Sequence, residues 1–595
     1  MDVDNILITD VGSTTSKAIL IKKMDGEYRL AYRGEAPTTV ERPFEDCRIG
    51  VRNAVRQIEE ALKVQFLSDQ GDIMKEKTMY LSTSSAGGGL QIMVSGVIRR
   101  MTAESGERAA LGAGAIVLDV MAIDDGREVH EKINRMRYLR PDMILMVGGT
   151  DGGDTKDLIE SAEIFKSAKP KPRFGIDFKL PLIYAGNKEC SNAVKDIIGD
   201  EFDLEIVPNI RPTLDVENSE PARNGVHDLF LSHVMSHAPG YPELMKWTDA
   251  PILPTPMGEG MVFQLIAETL GVNLIGVGLG GATTNIYSIY DGILVRTVSA
   301  NLGMSYSICN VMKEAGIANI MRWIPIAIQE EEIRNELRNK MIRPTTIPPT
   351  FTSLIVEHAV AREALRLALD SHKSLARPLR GARRTRAIGE VAIDLEETYI
   401  EMLNVNLMGT TGGLLSHAPR RAQSALILID GFQPEGITKI IIDSVFMMPH
   451  LGVLSTINPE AAFNVLMKDC MVRAGTCIAP TGQLEDGVDA LQVSATLPDG
   501  TTLAKTIPYG DIALLSLEKG QTVEMEIKPH RNLDVGMGRG TMVKTSVEGG
   551  VVGVIIDARG RPLMLPVDEK ERKESLIKWY TAIGAYPEDV WKEKK

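Results

Sequence analysis

This sequence predicts an α/β fold built from two related lobes, and three observations predict it. A strand, a glycine- and hydroxyl-rich turn and a second strand occur near the start, at 5–22, and again at 273–289. Between 114 and 207, short apolar segments alternate strictly with amphipathic ones. After 478 the composition turns to Val, Thr and Gly with closely spaced turn signals. At 595 residues the chain has room for roughly three to five domains.

Residues 5–11 form an apolar run ending near Asp10, and apolar, β-branched residues resume at 16–22 after the turn. Asp25-Gly26 marks a second hairpin before 27–32. A helix is expected at 43–64, then a strand at 79–82 and the glycine loop Ser85 to Gly89. The alternating region predicts strands at 115–120, 143–147, 182–185 and 204–207, with helices at 127–138, 156–168 and 191–198. Short apolar strands separated by helices indicate a parallel sheet covered on both faces, a flavodoxin-like unit inserted into the first lobe. The Pro- and Gly-rich stretch 251–258 reads as a separator. Beyond it the opening design repeats, including Asp291-Gly292 in the place of Asp25-Gly26. Residues 329–407 read as mostly helical. The tail reads as a small β domain, with hairpin signals at 498–501 and 518–520, closed by a helix. The expected division is a first lobe at 1–113 and 213–250, an α/β insertion at 114–212, a second lobe at 251–477 and a C-terminal β domain at 478–595.

Composition narrows the functional classes. Hydrophobic residues make up 44% and charged residues 24%, so a buried core is within reach, and 66 basic against 79 acidic residues leave a net charge of −13. That balance argues against nucleic acid or an anionic membrane as general partner. No run of 18 apolar residues occurs, which excludes a spanning helix. The acidic first residues lead straight into a strand without a secretory pattern, and the five cysteines are scattered without a C-x-x-C pair. Both point to a cytoplasmic protein with reduced thiols.

The candidate chemistry lies in three loops. In the first, Asp10 at a strand end precedes Gly12, Ser13, Thr14, Thr15 and Lys17. Backbone N–H groups and hydroxyls in such a turn can face phosphate oxygens while the carboxylate holds Mg²⁺ through water. An ordinary polar hairpin reads equally well on this segment alone. The second loop, with Gly280, Gly281, Thr283 and Thr284, recurs in the corresponding place of the second half, so two hairpins facing across a cleft can clamp a di- or triphosphate. In the third, 409–416, the paired glycines Gly412 and Gly413 stand before an expected helix and can let an adenine lie flat against backbone, although a plain loop before a helix cap reads as well.

In this order and at these separations, the three loops resemble the phosphate and adenosine motifs of the actin-like ATPase superfamily, with its ribonuclease H-like lobes. Segments 84–90, 147–154 and 184–187, Arg296-Thr297-Val298, Asn301-Leu302-Gly303-Met304 and Leu415-Ser416-His417-Ala418-Pro419 resemble, more narrowly, the glutamate mutase-associated MutL family, unrelated to the mismatch-repair protein of that name. The resemblance implies ATP and Mg²⁺ as cofactors, with Asp10 as the metal-holding catalytic carboxylate. It also implies a chaperone-like role as partner of an adenosylcobalamin-dependent mutase. It leaves the client, the oligomeric state and the use of hydrolysis open.

The sequence departs from the superfamily in the second motif, which usually reads Asp-x-Gly-Gly-x-Thr-Thr-Asp. Here the leading and trailing acids are Gly278 and Asn285, and Ser299 and Asn301 are neutral nearby. Loss of these carboxylates favours a rival reading, a non-hydrolysing scaffold or binding subunit of a partner enzyme. A kinase- or carboxylase-type subunit is a second rival. The Val147–Asp154 loop at a strand's C-terminal end could bind an anion, but a capped turn with Asp154 at the helix start is the plainer reading. Arg377, Arg380, Arg383, Arg384 and Arg386 form a basic cluster, which reads as a solvated segment or as a dock for an acidic partner.

Overall fold

The computed structural model describes residues 3–12, 15–40, 43–85, 90–173, 179–230, 239–299, 301–377, 398–497 and 500–591. Their strands, in chain order, open with β1 (Asn5–Val11), β2 (Thr15–Met24), β3 (Glu27–Pro37) and β4 (Thr78–Ser84). There follow β5 (Gln91–Ser95), β6 (Ile116–Met121), β7 (Met143–Gly148), β8 (Leu180–Gly186), β9 (Phe202–Ile206) and β10 (Leu253–Pro254). The second half holds β11 (Leu274–Leu279), β12 (Thr284–Tyr290), β13 (Ile293–Ser299), β14 (Leu407–Thr411), β15 (Gly436–Asp443) and β16 (Met471–Ala479). Last come β17 (Asp489–Thr496), β18 (Thr502–Pro508), β19 (Ile512–Leu515), β20 (Thr522–Pro529), β21 (Val543–Glu548) and β22 (Gly553–Asp557).

The first sheet has the order β10-β4-β1-β2-β3, and the second begins β13-β12-β11-β14-β15. The two are the same design. In each, three antiparallel strands joined by tight turns lead to two parallel neighbours beside the first. The turns Asp25-Gly26 and Asp291-Gly292 both take positive φ, at 51° and 87° and at 49° and 78°, as a two-residue hairpin turn requires. Helix Cys47–Leu62 covers one face of the first sheet through Val51, Ala54, Val55 and Ile58, and Asp46 caps it by accepting from the Arg48 N–H at 2.9 Å.

Between β4 and β10 the chain builds a five-stranded parallel sheet ordered β6-β5-β7-β8-β9. Counted from β5 the order is 2-1-3-4-5, that of a flavodoxin-like unit. Its helices Lys156–Ala168 and Ser191–Ile198 run over the expected residues. Strand β5 was not foreseen. It lies inside the sheet, between β6 and β7, and extends the unit back to residue 91.

Two further expectations need correction. The stretch 251–258 is no separator: Leu253–Pro254 is an edge strand of the first sheet, and Thr255 opens the 16-residue helix Thr255–Leu270. Proline tolerates both places because each can lack a backbone donor. The turn at 518–520 does not close a hairpin, because β19 pairs with β22 whereas β20 pairs with β17 and β21. Strands β16, β22 and β19 thus extend the second sheet to eight strands, and β18-β17-β20-β21 form a separate antiparallel sheet. The hairpin signal at 498–501 does join β17 to β18, although 498 and 499 fall outside the described residues.

Helix Thr255–Leu270 links the two sheets. Phe263 and Ile266 share one core with Ile6, Ile8 and Ile19 of the first sheet, Leu274 and Tyr287 of the second, and Leu451 of helix Met448–Ser455. The two helices cross in backbone contact: a Cβ on Gly452 would lie 2.1 Å from the Gly258 carbonyl oxygen. Arg29 of β3 binds Asp469 through Nε at 3.0 Å, and the Leu30 N–H donates to the same carboxylate at 2.9 Å. No helix among the described residues is long and apolar enough to cross a membrane.

Candidate functional site

The two hairpins close alike. The Gly12 N–H donates to the Thr15 carbonyl at 3.0 Å, and the Gly280 N–H donates to the Thr283 carbonyl at 2.9 Å. Strand register makes the pairs equivalent: Asp10 faces Lys17 across β1 and β2, and Gly278 faces Asn285 across β11 and β12. A Cβ on Gly12 would sit 2.6 Å from the Thr15 carbonyl oxygen, and one on Gly280 would sit 3.0 Å from that of Thr283. Ser13 and Thr14 lie outside the described residues.

Asp10 is 2% exposed, and its Oδ1 accepts from the hydroxyls of Thr83 at 2.8 Å and Thr255 at 2.6 Å. These two donors fix the carboxylate and leave its second oxygen outside that pair of bonds. Lys17 places its ammonium 3.7 Å from the centre of the Phe446 ring. Burial lowers its pKa, against the attraction of Asp10 and, more weakly, Asp443. The first hairpin of one sheet therefore meets the β15 end of the other.

Asp443 is fully buried. It accepts from the Thr411 hydroxyl at 2.9 Å and from the N–H groups of Val445, Met447 and Met448 at 2.8–3.2 Å, and burial raises its pKa. His450, one turn into the helix that follows, is also fully buried, and neither ring nitrogen has an aligned partner among the described residues. Burial pushes its pKa down to about 4 against the pull of nearby Asp10.

In the second hairpin, Gly281 is exposed and Gly280 partly so. The loop is braced from behind by the Met304 and Ser305 N–H groups, which donate to the carbonyls of Gly280 and Gly281 at 2.9 and 2.8 Å. The Asn301-to-Met304 segment is thus a support for this turn. Thr284 faces inward and donates its hydroxyl to the Leu302 carbonyl, whereas Thr283 is partly exposed. Gly412 takes φ 109° and abuts the same hairpin, since a Cβ there would lie 2.2 Å from the Leu279 carbonyl oxygen. Gly413, which opens helix Gly413–Ser416, has nothing within 4 Å of a built Cβ. His417 follows, its pKa lowered by burial and by the charges of Arg33 and Arg421.

Beneath Gly278 lies Glu259, 3% exposed. Its Oε2 accepts from the Tyr287 hydroxyl at 2.7 Å and from Asn285 Nδ2 at 3.3 Å. Burial raises its carboxyl to about 7. Arg296 on β13 is 5% exposed, and its Nε and Nη2 lack partners among the described residues.

The sequence reading thus missed Thr83, Thr255, Glu259, Asp443 and His450. Thr255 was hidden by reading 251–258 as a separator, and the helix that it opens, which carries Glu259, went unread with it. Asp443 carried one signal, a carboxylate at the end of an apolar strand, as Asp10 did. Asp10, Asp443, Lys17 and the hairpin amides together can hold a polyanion with a divalent cation, phosphate and water completing the metal shell. No group of three acidic, His or Cys side chains forms a metal cage among the described residues.

Elsewhere the loop at 147–154 is tied to the segments around it, the Gly152 N–H donating to Glu189 at 2.8 Å and Asn187 Nδ2 to the Gly153 carbonyl at 3.1 Å. Asp154 accepts from the Thr155 and Lys156 N–H groups, and Asp151 accepts from Asn209 Nδ2 at 2.8 Å. Of the basic cluster, Arg377 is described, and the other four arginines lie outside the described residues.

Paired mixed sheets of this order around a linking helix make the fold an α/β fold with two related halves. Among solved structures, similarity extends to nucleotide-free acetone carboxylase, at 12% identity and TM-score 0.34 over 85% of this chain and 81% of that one. It extends also to a nucleotide-free diol dehydratase-reactivating factor, at 8% identity and TM-score 0.31 over 76% and 99%. The profile of the MutL protein family matches residues 6–470, and the chain belongs to that family. It is 26% identical over 495 residues to Protein MutL of Clostridium tetanomorphum, covering 78% of this chain and 99% of the relative.

Proposed function

We propose that this chain binds ATP with Mg²⁺ between its two related sheets and serves as an accessory protein that reactivates or assembles an adenosylcobalamin-dependent mutase. The observation that carries the nucleotide half is the pair of equivalent hairpins, closed from Gly12 to Thr15 and from Gly280 to Thr283, whose strands bond one helix, Asp10 at Thr255 and Asn285 at Glu259. Membership of the MutL family supports the partner half. Asp10 would hold Mg²⁺ through water. Gly12, Ser13, Thr14, Thr15 and Lys17 would face the phosphates from one side, and Gly280, Gly281, Thr283 and the backbone of Thr284 from the other. Gly412 and Gly413 would border the base. Bound ATP supplies a phosphoanhydride whose cleavage changes the charge held between the sheets.

The chain's own part is mechanical. Thr83 and Thr255 orient Asp10, and the helix carrying Thr255 runs on into the shared core, so a change at the phosphates reaches both sheets. A cytoplasmic setting belongs to this reading, as does a division into two lobes, an insertion that begins at β5, and a C-terminal part that gives β19 and β22 to the second lobe's sheet and keeps β18-β17-β20-β21 as its own. The neutral residues Gly278 and Asn285 favour a second reading, a nucleotide-holding scaffold that does not hydrolyse.

Isothermal titration with Mg-ATP and Mg-ADP, with phosphate release followed in the same samples, tests both. Binding with slow release that Asp10→Ala abolishes supports the accessory ATPase. Binding without release supports the scaffold, and absence of binding overturns both.

A further inference from the structure

Strand register makes Gly278 the counterpart of Asp10, so the second hairpin lacks the carboxylate that the first one carries. The space is nevertheless acidic. A Cβ on Gly278 would fall 2.3 Å from Glu259 Oε2, closer than real Cβ atoms come, and 3.2 Å from Oε1. The carboxylate of Glu259 therefore fills the volume that a side chain at 278 would take, and a side chain there would have to turn Glu259 aside.

The second departure fits the first. Asn285 stands where a carboxylate is usual, and its amide donates to Glu259 at 3.3 Å. An aspartate there would set a like charge against Glu259 in a buried site, at a cost in desolvation and repulsion. Glycine at 278 makes room and asparagine at 285 supplies a donor, so the two substitutions read as one exchange. Asn285 Oδ1 and two nitrogens of Arg296 have no partner among the described residues, which leaves polar capacity beside the carboxylate.

We propose that Glu259, delivered by the linking helix, replaces the acidic group absent from position 278 and acts as the second positioning carboxylate for a divalent cation bound with a nucleoside di- or triphosphate. The inference rests on the nucleotide reading above and names the group on the second-hairpin side of that site. Glu259 follows Thr255 by four residues, so both lie on one helix face about 6 Å apart along the axis. One helix thus holds Asp10 by a hydroxyl and presents Glu259 to the other hairpin. The two carboxylates must move together when that helix shifts.

The test compares ADP affinity in Mg²⁺ and in EDTA for the full chain and three variants, with thermal melting of each. For Glu259→Gln, which keeps the shape, the gain in ADP affinity from Mg²⁺ is expected to fall about tenfold while affinity in EDTA stays within about twofold. Gly278→Asp alone is expected to melt earlier because the site is already filled. Gly278→Asp with Glu259→Ala is expected to recover both melting temperature and the Mg²⁺ gain. An unchanged Mg²⁺ gain in Glu259→Gln overturns this inference alone, as does a folded double variant that shows no recovered gain. Failure of the unaltered chain to bind ADP overturns the nucleotide reading and this inference with it.

Discussion

Replacing Thr255 by valine removes one hydroxyl from the Asp10 carboxylate while keeping the side chain's shape. In the folded protein that hydroxyl lies 2.6 Å from Oδ1 of a residue only 2% exposed, with Thr83 as the other donor at 2.8 Å. A hydrogen bond to a charged acceptor contributes about 1.5–3 kcal/mol, so local opening of the joined segments becomes easier by that amount. In hydrogen-exchange mass spectrometry, peptides spanning Asn5–Val11 and Thr255–Leu270 should exchange roughly ten- to 150-fold faster. Thr83→Val should act similarly on β1 and β4. The double variant should lose more than the sum, because the buried carboxylate then keeps neither hydroxyl, and such coupling runs to about 0.5–3 kcal/mol. Exchange that is unchanged in both segments for Thr255→Val, or strictly additive losses, would refute the reasoning that one helix residue ties the two sheets through Asp10.

Other outcomes follow from different parts of the molecule. Gly412→Ala should cost about 2 kcal/mol or more and weaken ADP binding, because it strains φ 109° and drives a methyl into the Leu279 carbonyl; Gly413→Ala, in open space, should leave the urea midpoint nearly unchanged. Asp557 is fully buried and accepts from Arg559 Nε and Nη2 and Arg561 Nη2, each at 2.8 Å, so Asp557→Asn should destabilise by about 3–5 kcal/mol, read by urea unfolding with the fluorescence of Trp579. These arginines hold its carboxyl below the usual range, against burial, so its contribution is complete above the unfolded pKa and is lost as pH falls through the folded value. His358 and His372 are buried, which lowers both to about 3. Because the unfolded chain takes up protons first, stability should drop by about 1.4 kcal/mol per pH unit for each as pH falls from about 6.5 toward 4, and His372→Gln should shallow that slope by one proton.

How much of this was legible depended on whether a signal was local. Asp25-Gly26 and Asp291-Gly292 announce turns by their own conformational freedom, and the structure has turns there. The repeat of glycine and threonine at 12–15 and 280–283 was readable because both copies keep the same spacing. Strand β5 was not readable: its five residues follow a glycine loop without alternation, and only packing between β6 and β7 makes them a central strand. The turn signal at 518–520 was real, but a turn does not say which strand comes next to which, and β19 found its partner in β22. Glu259 was hidden for a further reason. Its relation to Gly278 exists only through space, 19 residues away along the chain, and an absent side chain leaves no mark in the sequence for its replacement.

The eight-stranded sheet has a consequence for how the protein is made. Strand β16 pairs with β15 on one side and with β22 on the other, and roughly seventy residues separate β16 from β22 in the chain. At about 5–20 residues per second, a ribosome needs some 4–15 seconds to supply them. During that interval the outer edge of Met471–Ala479 offers unpaired backbone groups, the kind of edge that recruits wrong partners. The second sheet of this protein therefore cannot be completed until β22, the last strand to be made, has taken its place between β16 and β19.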